Sequence, residues 1–511
     1  MTEVVGRGGR GAPRPGGTLR EGFDYDFSRC DPTGAHVDPA WCAVYETATV
    51  AGPDGELGPM IAEGWERATP DSPVRQFRIR PGVRFQSGEL CDAAAVVDAL
   101  RLHADPVEAP INAFFWRNVK GIDTDGDGRV LIELHEPSVG MPRLLRSWHS
   151  AIHNQSRRRL DGEDFGWKTC DGTGPFRFVE SVPGSHFDVA RWDGYGGAKT
   201  RWEANRGPAH LDGIRWIPIL DDRDRATALE DGDVDCIQNA SLLDVEGLAA
   251  NPHLEVIEFQ QSALVYLGLD HGASSLGFDD VRVRRAVSYA IDRPALVAND
   301  LMGHGWPAFG PIPSHSQWYS PEVETTGGFD PRKSVELLDA AGFGAGADGV
   351  RFELEAVVLD DATVRRVSAT IKKMLEEVGI RLTLVTIPGF ADFYARLREH
   401  PQAFISKWFW PEPVDAIIGF IASWGRDGGP NFQGSSDAEI DGACRSWEIA
   451  HDDEGLRAAA VEIQLRAAET LPLIPLFSPS AVWAHHRRVR NWRPNRHDLY
   501  PLYADVWLAD E

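Results

Sequence analysis

The chain has 511 residues, 42% hydrophobic and 25% charged, with 52 Lys and Arg against 77 Asp and Glu for a formal charge of −25. At about 100–200 residues per domain the length implies roughly three lobes, and the composition is that of a packed globular protein, neither disordered nor collagen-like. The acidic surplus excludes a phosphate-backbone binder, which needs a basic face to displace counterions.

At the front, Arg7, Arg10 and Arg14 stand singly among Gly and Pro, and no apolar stretch of about 7–15 residues precedes a small-residue cleavage site. Residues 1–15 read as a flexible arm. The sequence as it stands is expected to be cytoplasmic, with an extracytoplasmic location the alternative if the start is trimmed or misplaced. No stretch reaches the roughly 18 apolar residues of a membrane span. Six cysteines, Cys30, Cys42, Cys91, Cys170, Cys236 and Cys444, are scattered without a C-x-x-C pair. Buried free thiols are expected and a metal site is not; a Cys30–Cys42 bridge stays open.

In chain order, Gly17–Phe23 reads as a first strand entering a polar turn, Asp24–Pro32. Val74–Ile79 alternates apolar and polar residues as a half-buried strand does, and Pro81–Gly82 then turns the chain. Asp92–His103 reads as a helix with Asp92 as its N-cap. Asp123–Gly128 begins like a calcium loop, but position 12 would be Leu134, with Glu133 one place early, so a hairpin turn is expected there. Gly174–Ser181 and Phe187–Arg191 pair as strands across Pro183–Gly184. Val281–Ala290 is an amphipathic helix, followed by a second helix around Leu296, and Lys333–Ala341 is a short one. Phe352–Val358, Val364–Val378 and Ile380–Thr386 read strand–helix–strand, the order of a parallel crossover. Leu456–Thr470 is a long Ala-rich helix, and Leu473–Leu476 and Ala481–Ala484 return to strand. His485-His486-Arg487-Arg488 is expected to be a solvated strand edge whose charges block aggregation.

Four blocks carry a resemblance. They are Gly17-Thr18-Leu19 with Cys30-Asp31-Pro32; Ile61-Ala62-Glu63-Gly64-Trp65-Glu66 with Phe77-Arg78-Ile79-Arg80-Pro81-Gly82-Val83-Arg84-Phe85; Gly172-Thr173-Gly174-Pro175-Phe176-Arg177-Phe178; and Asp280–Ala286 with Tyr289-Ala290-Ile291-Asp292-Arg293. In order and spacing the chain resembles the solute-binding proteins of ABC importers of the oligopeptide, dipeptide and nickel type (extracellular solute-binding protein family 5). The resemblance implies an α/β, two-lobed periplasmic-binding-protein fold of type II with an extra inserted domain. Domain I would comprise 16–49, 172–261 and 471–511, an inserted domain II 50–171, and domain III, the second lobe, 262–470. Ligand would be held in an interlobe cleft, with no cofactor, an importer permease as partner and a monomeric state.

In peptide binders of this family an Asp within a W-x-x-D-Y-x-D-P stretch pairs with the ligand's α-ammonium. The corresponding stretch here, Lys407-Trp408-Phe409-Trp410 through Glu412-Pro413, places no Asp there. The resemblance therefore points away from an ordinary peptide N-terminus, because an unpaired ammonium in a closed cleft is costly. Trp408, Phe409 and Trp410 are candidates to line a flat or apolar ligand site, against a core role for alternate strand residues. Glu412 is a candidate substitute anchor. Trp424 and Asn431 follow in the loop where relatives close on ligand, and Tyr25, Asp26 and Phe27 lie in the first turn, Asp26 equally readable as a turn cap. Short-range pairs such as Ser147 and His149 carry little weight as catalytic groups, and no nucleophile, zinc or nucleotide motif stands in a supporting context. Two functions follow as expectations. One is a solute-binding protein capturing a small organic or peptide-like molecule; the alternative is a cytosolic protein of the same fold acting as an enzyme or as a sequestering or sensing protein for a small aromatic or apolar metabolite, with Asp26 and Glu412 as acid–base candidates and the catalytic residues unknown.

Overall fold

The computed structural model describes residues 12–510 except 28, 34–37, 54, 68, 70–71, 411, 427–428, 496 and 498–499. Most of the N-terminal arm expected over 1–15 lies outside the described residues. The chain divides into two units, residues 1–259 with 481–511, and residues 260–480, so it passes from one to the other twice.

In the first unit, β1 (Thr18–Phe23) leads into α1 (Pro39–Val44), every residue of which is buried. An antiparallel sheet follows from β2 (Ala62–Arg67), β3 (Val74–Ile79), β4 (Val119–Thr124) and β5 (Arg129–Leu134), in the order β2–β3–β5–β4. Helix α2 (Ala93–His103) packs on it, its N-cap Asp92 accepting the Ala95 N–H as the sequence predicts. Phe77, Ile79, Val83, Phe85, Val96, Leu100, Val130 and Ile132 fill the core between them. The predicted calcium-like run is the β4–β5 turn, where Asp125 accepts the N–H groups of Asp127 and Arg129.

Further strands of this unit are β6 (Phe176–Val182), β7 (His186–Arg191), β8 (Gly213–Pro218) and β9 (Cys236–Ile237). β1 lies between β8 and β9, parallel to both, and β6–β7–β8 run antiparallel. The glycines of Gly172-Thr173-Gly174 are there for close approach: a Cβ would come within 2.1 Å of the Val44 carbonyl oxygen at Gly172 and within 2.5 Å of the Ala43 oxygen at Gly174. With no side chain there, the strand start seats against α1, while Thr173 reaches the buried Glu46 at 2.9 Å.

The second unit holds β10 (Ala263–Leu269), α3 (Val281–Tyr289), β11 (Phe352–Leu359), α4 (Ala362–Glu377), β12 (Ile380–Ile387), β13 (Ala403–Phe409), α5 (Pro413–Ile421), α6 (Ala438–Glu448) and α7 (Asp453–Thr470). β11 pairs in parallel with β12 and β13, the crossover expected from the sequence, and β10 runs antiparallel to β13. The Asp280–Ala286 block has a structural explanation. Asp280 caps α3, and Arg284 enters the core to donate to the carbonyls of Phe278, Asp279, Thr470 and Leu471. Arg293 does the same with the carbonyls of Ser288, Ile291 and Pro475. Around Leu296 the expected second helix is a three-residue turn, Arg293–Ala295, continued by one π-turn over Leu296–Asp300.

The two C-terminal runs are one strand, β14 (Ile474–His486). Its first residues pair with β10 and its last with β9. The expectation of a solvated basic edge at 485–488 is corrected here. His485 is buried beside Trp492, His486 bonds the Leu229 carbonyl, Arg487 donates to that of Pro252, and Arg488 pairs with the buried Asp235. Pairing with β9 buries His485, while His486 and Arg488 are half-buried and Arg487 stays exposed, so the segment's polar groups serve neighbouring carbonyls and one carboxylate at a partly buried edge. All six cysteines are free thiols, five of them buried, and Cys30 and Cys42 are not bridged. No described helix is long and apolar enough to cross a membrane.

Candidate functional site

Strand β13 runs between β10 and β11 along its first half, where Ala403, Phe404 and Ile405 face β11 residues on one side. Beyond Ile405, among the described residues, only β10 continues the pairing, through Leu264 opposite Trp408 and Ala263 opposite Phe409. The carboxyl end of β13 is therefore an open strand end in a parallel arrangement, the position where open α/β sheets place ligands.

The strand's two-residue period separates the three aromatics. Trp408 shares a face with Phe404 and Ser406 and is 2% exposed, on the face where Tyr266 meets Phe420 of α5. Lys407 and Phe409 point the other way, Lys407 exposed and Phe409 half-buried. Trp410 is half-buried just past the strand, its backbone N–H donating to the Ser262 carbonyl at 3.1 Å while the Ser262 hydroxyl donates to the Trp410 backbone carbonyl at 2.7 Å. Ser262 thus fixes where the Trp410 ring begins. Its flag in the sequence is the polar Gln260-Gln261-Ser262 run ahead of the unbroken apolar strand Ala263–Leu269; Gln260 bonds the Ser314 hydroxyl at 3.2 Å.

Glu412 occupies the N-cap position of α5 and is 3% exposed. Helix α5 is locked to α6 by the Trp447 indole, which donates to Asp415 at 2.7 Å. Trp424 is half-buried in the turn after α5. Asn431 is 2% exposed and organises its own loop, donating to the carbonyls of Ala422 and Ser435 and accepting the Ser435 N–H. Phe409 and Trp410 are thus the accessible aromatics at the strand end, while Trp408 and Asn431 face inward.

In the first unit the turn residues are spoken for locally. The Tyr25 hydroxyl donates to Asp38 at 2.9 Å and lies 3.1 Å from the Tyr500 hydroxyl. Burial raises the Asp38 carboxyl to about 7, the Tyr25 bond pulling it back in part. Asp26 is exposed and accepts the Gly184 N–H at 2.8 Å, holding the β6–β7 turn. Phe27 packs edge-on against Phe23 and Trp216 in the core. Of the short-range pairs, Ser147 caps the His149 N–H and its hydroxyl lies 3.4 Å from His149 Nδ1, with Trp41 edge-on against the imidazole. Glu180, His186 and Asp188 on the β6–β7 hairpin lie close enough to share a cation, but Asp188 is held bidentate by Arg215 and His186 accompanies the Ser185 hydroxyl at 2.9 Å.

Residues 56–430 match the family of bacterial extracellular solute-binding proteins, family 5, over its middle region. The chain belongs to this family. It is 26% identical over 337 residues to the glutathione-binding protein GsiB of Salmonella paratyphi A, a match covering 65% of this chain and 62% of that relative. The chain thus spans less than two thirds of the curated relative's length. Among solved structures, AgaA in complex with agropinic acid, from A.tumefacien R10, superposes with a TM-score of 0.82 at 21% identity, covering 97% of this chain and 99% of that one. DppA from Helicobacter pylori, in complex with the peptide STSA, superposes with a TM-score of 0.82 at 18% identity, covering 97% and 98%. These likenesses establish the two-lobed periplasmic-binding-protein fold of this family-5 chain.

Proposed function

We propose that this family-5 protein is the ligand-capturing component of an ABC importer, and that it takes a small organic ligand bearing a flat or apolar group, with no requirement for a free α-ammonium. The observation that carries this reading is the composition of the open end of β13: Phe409 and Trp410 half-buried there, beside the exposed Lys407, where peptide binders of the family are expected to offer a carboxylate. Two aromatic faces supply about 0.5–1.5 kcal/mol each in stacking beyond burial, and a lysine there repels an ammonium. The ligands named for relatives, glutathione, agropinic acid and a tetrapeptide, span peptide and non-peptide chemistry, so the family fold accommodates such a ligand. The three-domain partition belongs to the same proposal. Residues 50–171 as an insert are supported by a core of their own around Phe77, Val96 and Val130.

Native mass spectrometry of freshly purified protein tests the reading. Retention of an unmodified, non-amine organic ligand supports it, and release of a converted product would favour an enzyme. A co-purified free-amine peptide would overturn the ligand class.

A further inference from the structure

The first unit contains a cavity of about 520 Å³ whose lining includes Arg80, Arg84, Thr173, Tyr195, Lys199 and Arg206. Arg201 also borders it, giving five cationic side chains around one space in a chain whose acids outnumber its bases by 77 to 52. Their partners divide them. Lys199 is neutralised by the buried Glu46, at 2.7 and 2.9 Å, with Thr173 and Tyr195 completing the carboxylate's bonds. Arg201 pairs with Glu56.

The other three have no carboxylate among the described residues. Arg80 donates only to the carbonyls of Met60 and Lys199, both at 3.4 Å. Arg84 donates to the Gly88 carbonyl at 2.7 Å, and Arg206 to those of Ala198 and Asn205 at 3.1 Å. Each guanidinium has five N–H donors, so donors remain on all three. Gly194-Tyr195-Gly196-Gly197 also lines the space, with Gly197 against the Arg206 backbone, where a Cβ would come within 2.3 Å; a Cβ at Gly196 would meet nothing within 4 Å, so the space stays open there.

We propose that this cavity is a second binding site, for a small molecule carrying two or more oxyanion groups, held by Arg80, Arg84 and Arg206. Guanidinium groups bind phosphate and carboxylate oxygens through paired, charge-assisted bonds, and three around one cavity match a multivalent anion better than a monovalent one. The volume holds a molecule the size of pyrophosphate or citrate with room for water. The site lies wholly within the first unit and does not depend on the ligand reading above.

Titration calorimetry on the full chain, in a buffer free of polyvalent anions, tests it with pyrophosphate, citrate and acetate as separate probes. Saturable binding is expected for a polyvalent probe and not for acetate, weakening as salt rises from about 20 to 300 mM. Binding of pyrophosphate alone assigns a phosphoryl ligand, of citrate alone a polycarboxylate, and of both a general polyanion site. The variant Arg84→Gln/Arg206→Gln, at two exposed positions, should lose affinity about tenfold or more with its circular dichroism unchanged. Phe409→Ala/Trp410→Ala should bind the probe as wild type does. No binding of either polyvalent probe overturns the proposal, as does binding that survives the arginine variant or fails only in the aromatic one.

Discussion

Glu21, in the middle of β1, is fully buried and accepts hydrogen bonds from Gln238 and from Tyr503 at 3.0 Å. Burial raises its carboxyl from the ordinary range to about 7, those bonds holding it from going higher. The folded state therefore keeps a proton that the unfolded chain releases near pH 4.5. The resulting stability is full below that pH and is lost as pH rises through about 7, a swing on the order of 3 kcal/mol. Asp38, at about 7, and Glu203, at about 8, add to the same trend. The urea midpoint of the wild type should fall between about pH 5 and pH 8, and Glu21→Gln should flatten part of that slope. Arg284 makes a different case: its charge is satisfied by four carbonyls, so Arg284→Met should cost about 3 kcal/mol, read by urea unfolding, without touching ligand affinity. At the strand end the two roles separate. Trp408→Ala should cost about 3–5 kcal/mol in stability. Phe409→Ala and Trp410→Ala should leave the melting temperature nearly unchanged and weaken binding of the co-purified ligand. The sequence showed three adjacent aromatics as one cluster; the structure separates them, with Trp408 in the core, Phe409 on the other face of the strand and Trp410 half-buried just past its end.

Elements were more legible than sites, because periodicity and caps are local. Val74–Ile79, the Asp92-capped helix and the parallel pair β11–β12 could be read from alternation, a capping residue and strand–helix–strand order alone. The two C-terminal runs were harder: Ser478-Pro479-Ser480 reads as a break, yet the strand passes through it, since β14 takes partners from β10 before that segment and β9 after it. The basic 485–488 segment was misread for the same reason, as its surroundings come from residues more than 200 positions earlier. The β6–β7 hairpin gives Asp26 a structural contact beside the ligand role expected of it. Asp26 closes the hairpin's turn, so Asp26→Ala should cost about 1 kcal/mol and speed amide exchange at Gly184, with ligand affinity unchanged. A loss of affinity without a change at Gly184 would return Asp26 to the ligand.

Across the whole molecule, the first unit is discontinuous: residues 481–511 return to it after the second unit is complete. They bring Trp483, Trp492, Tyr500 and Tyr503 into the core that holds Leu19, Phe23 and Trp216. A chain ending at Ser480 should lose near-ultraviolet circular dichroism and become protease-sensitive over residues 12–259, while residues 260–480 stay protected. The distance between the ends of this core also sets a clock. Glu21 and Tyr503 are 482 positions apart. At about 5–20 residues per second a ribosome needs on the order of 25–100 s to make that interval. For all of that time β1 lacks the tyrosine that bonds its buried carboxyl group, and its apolar side chains wait for theirs. Completion of this core therefore waits for residues 481–511, however early β1 is made.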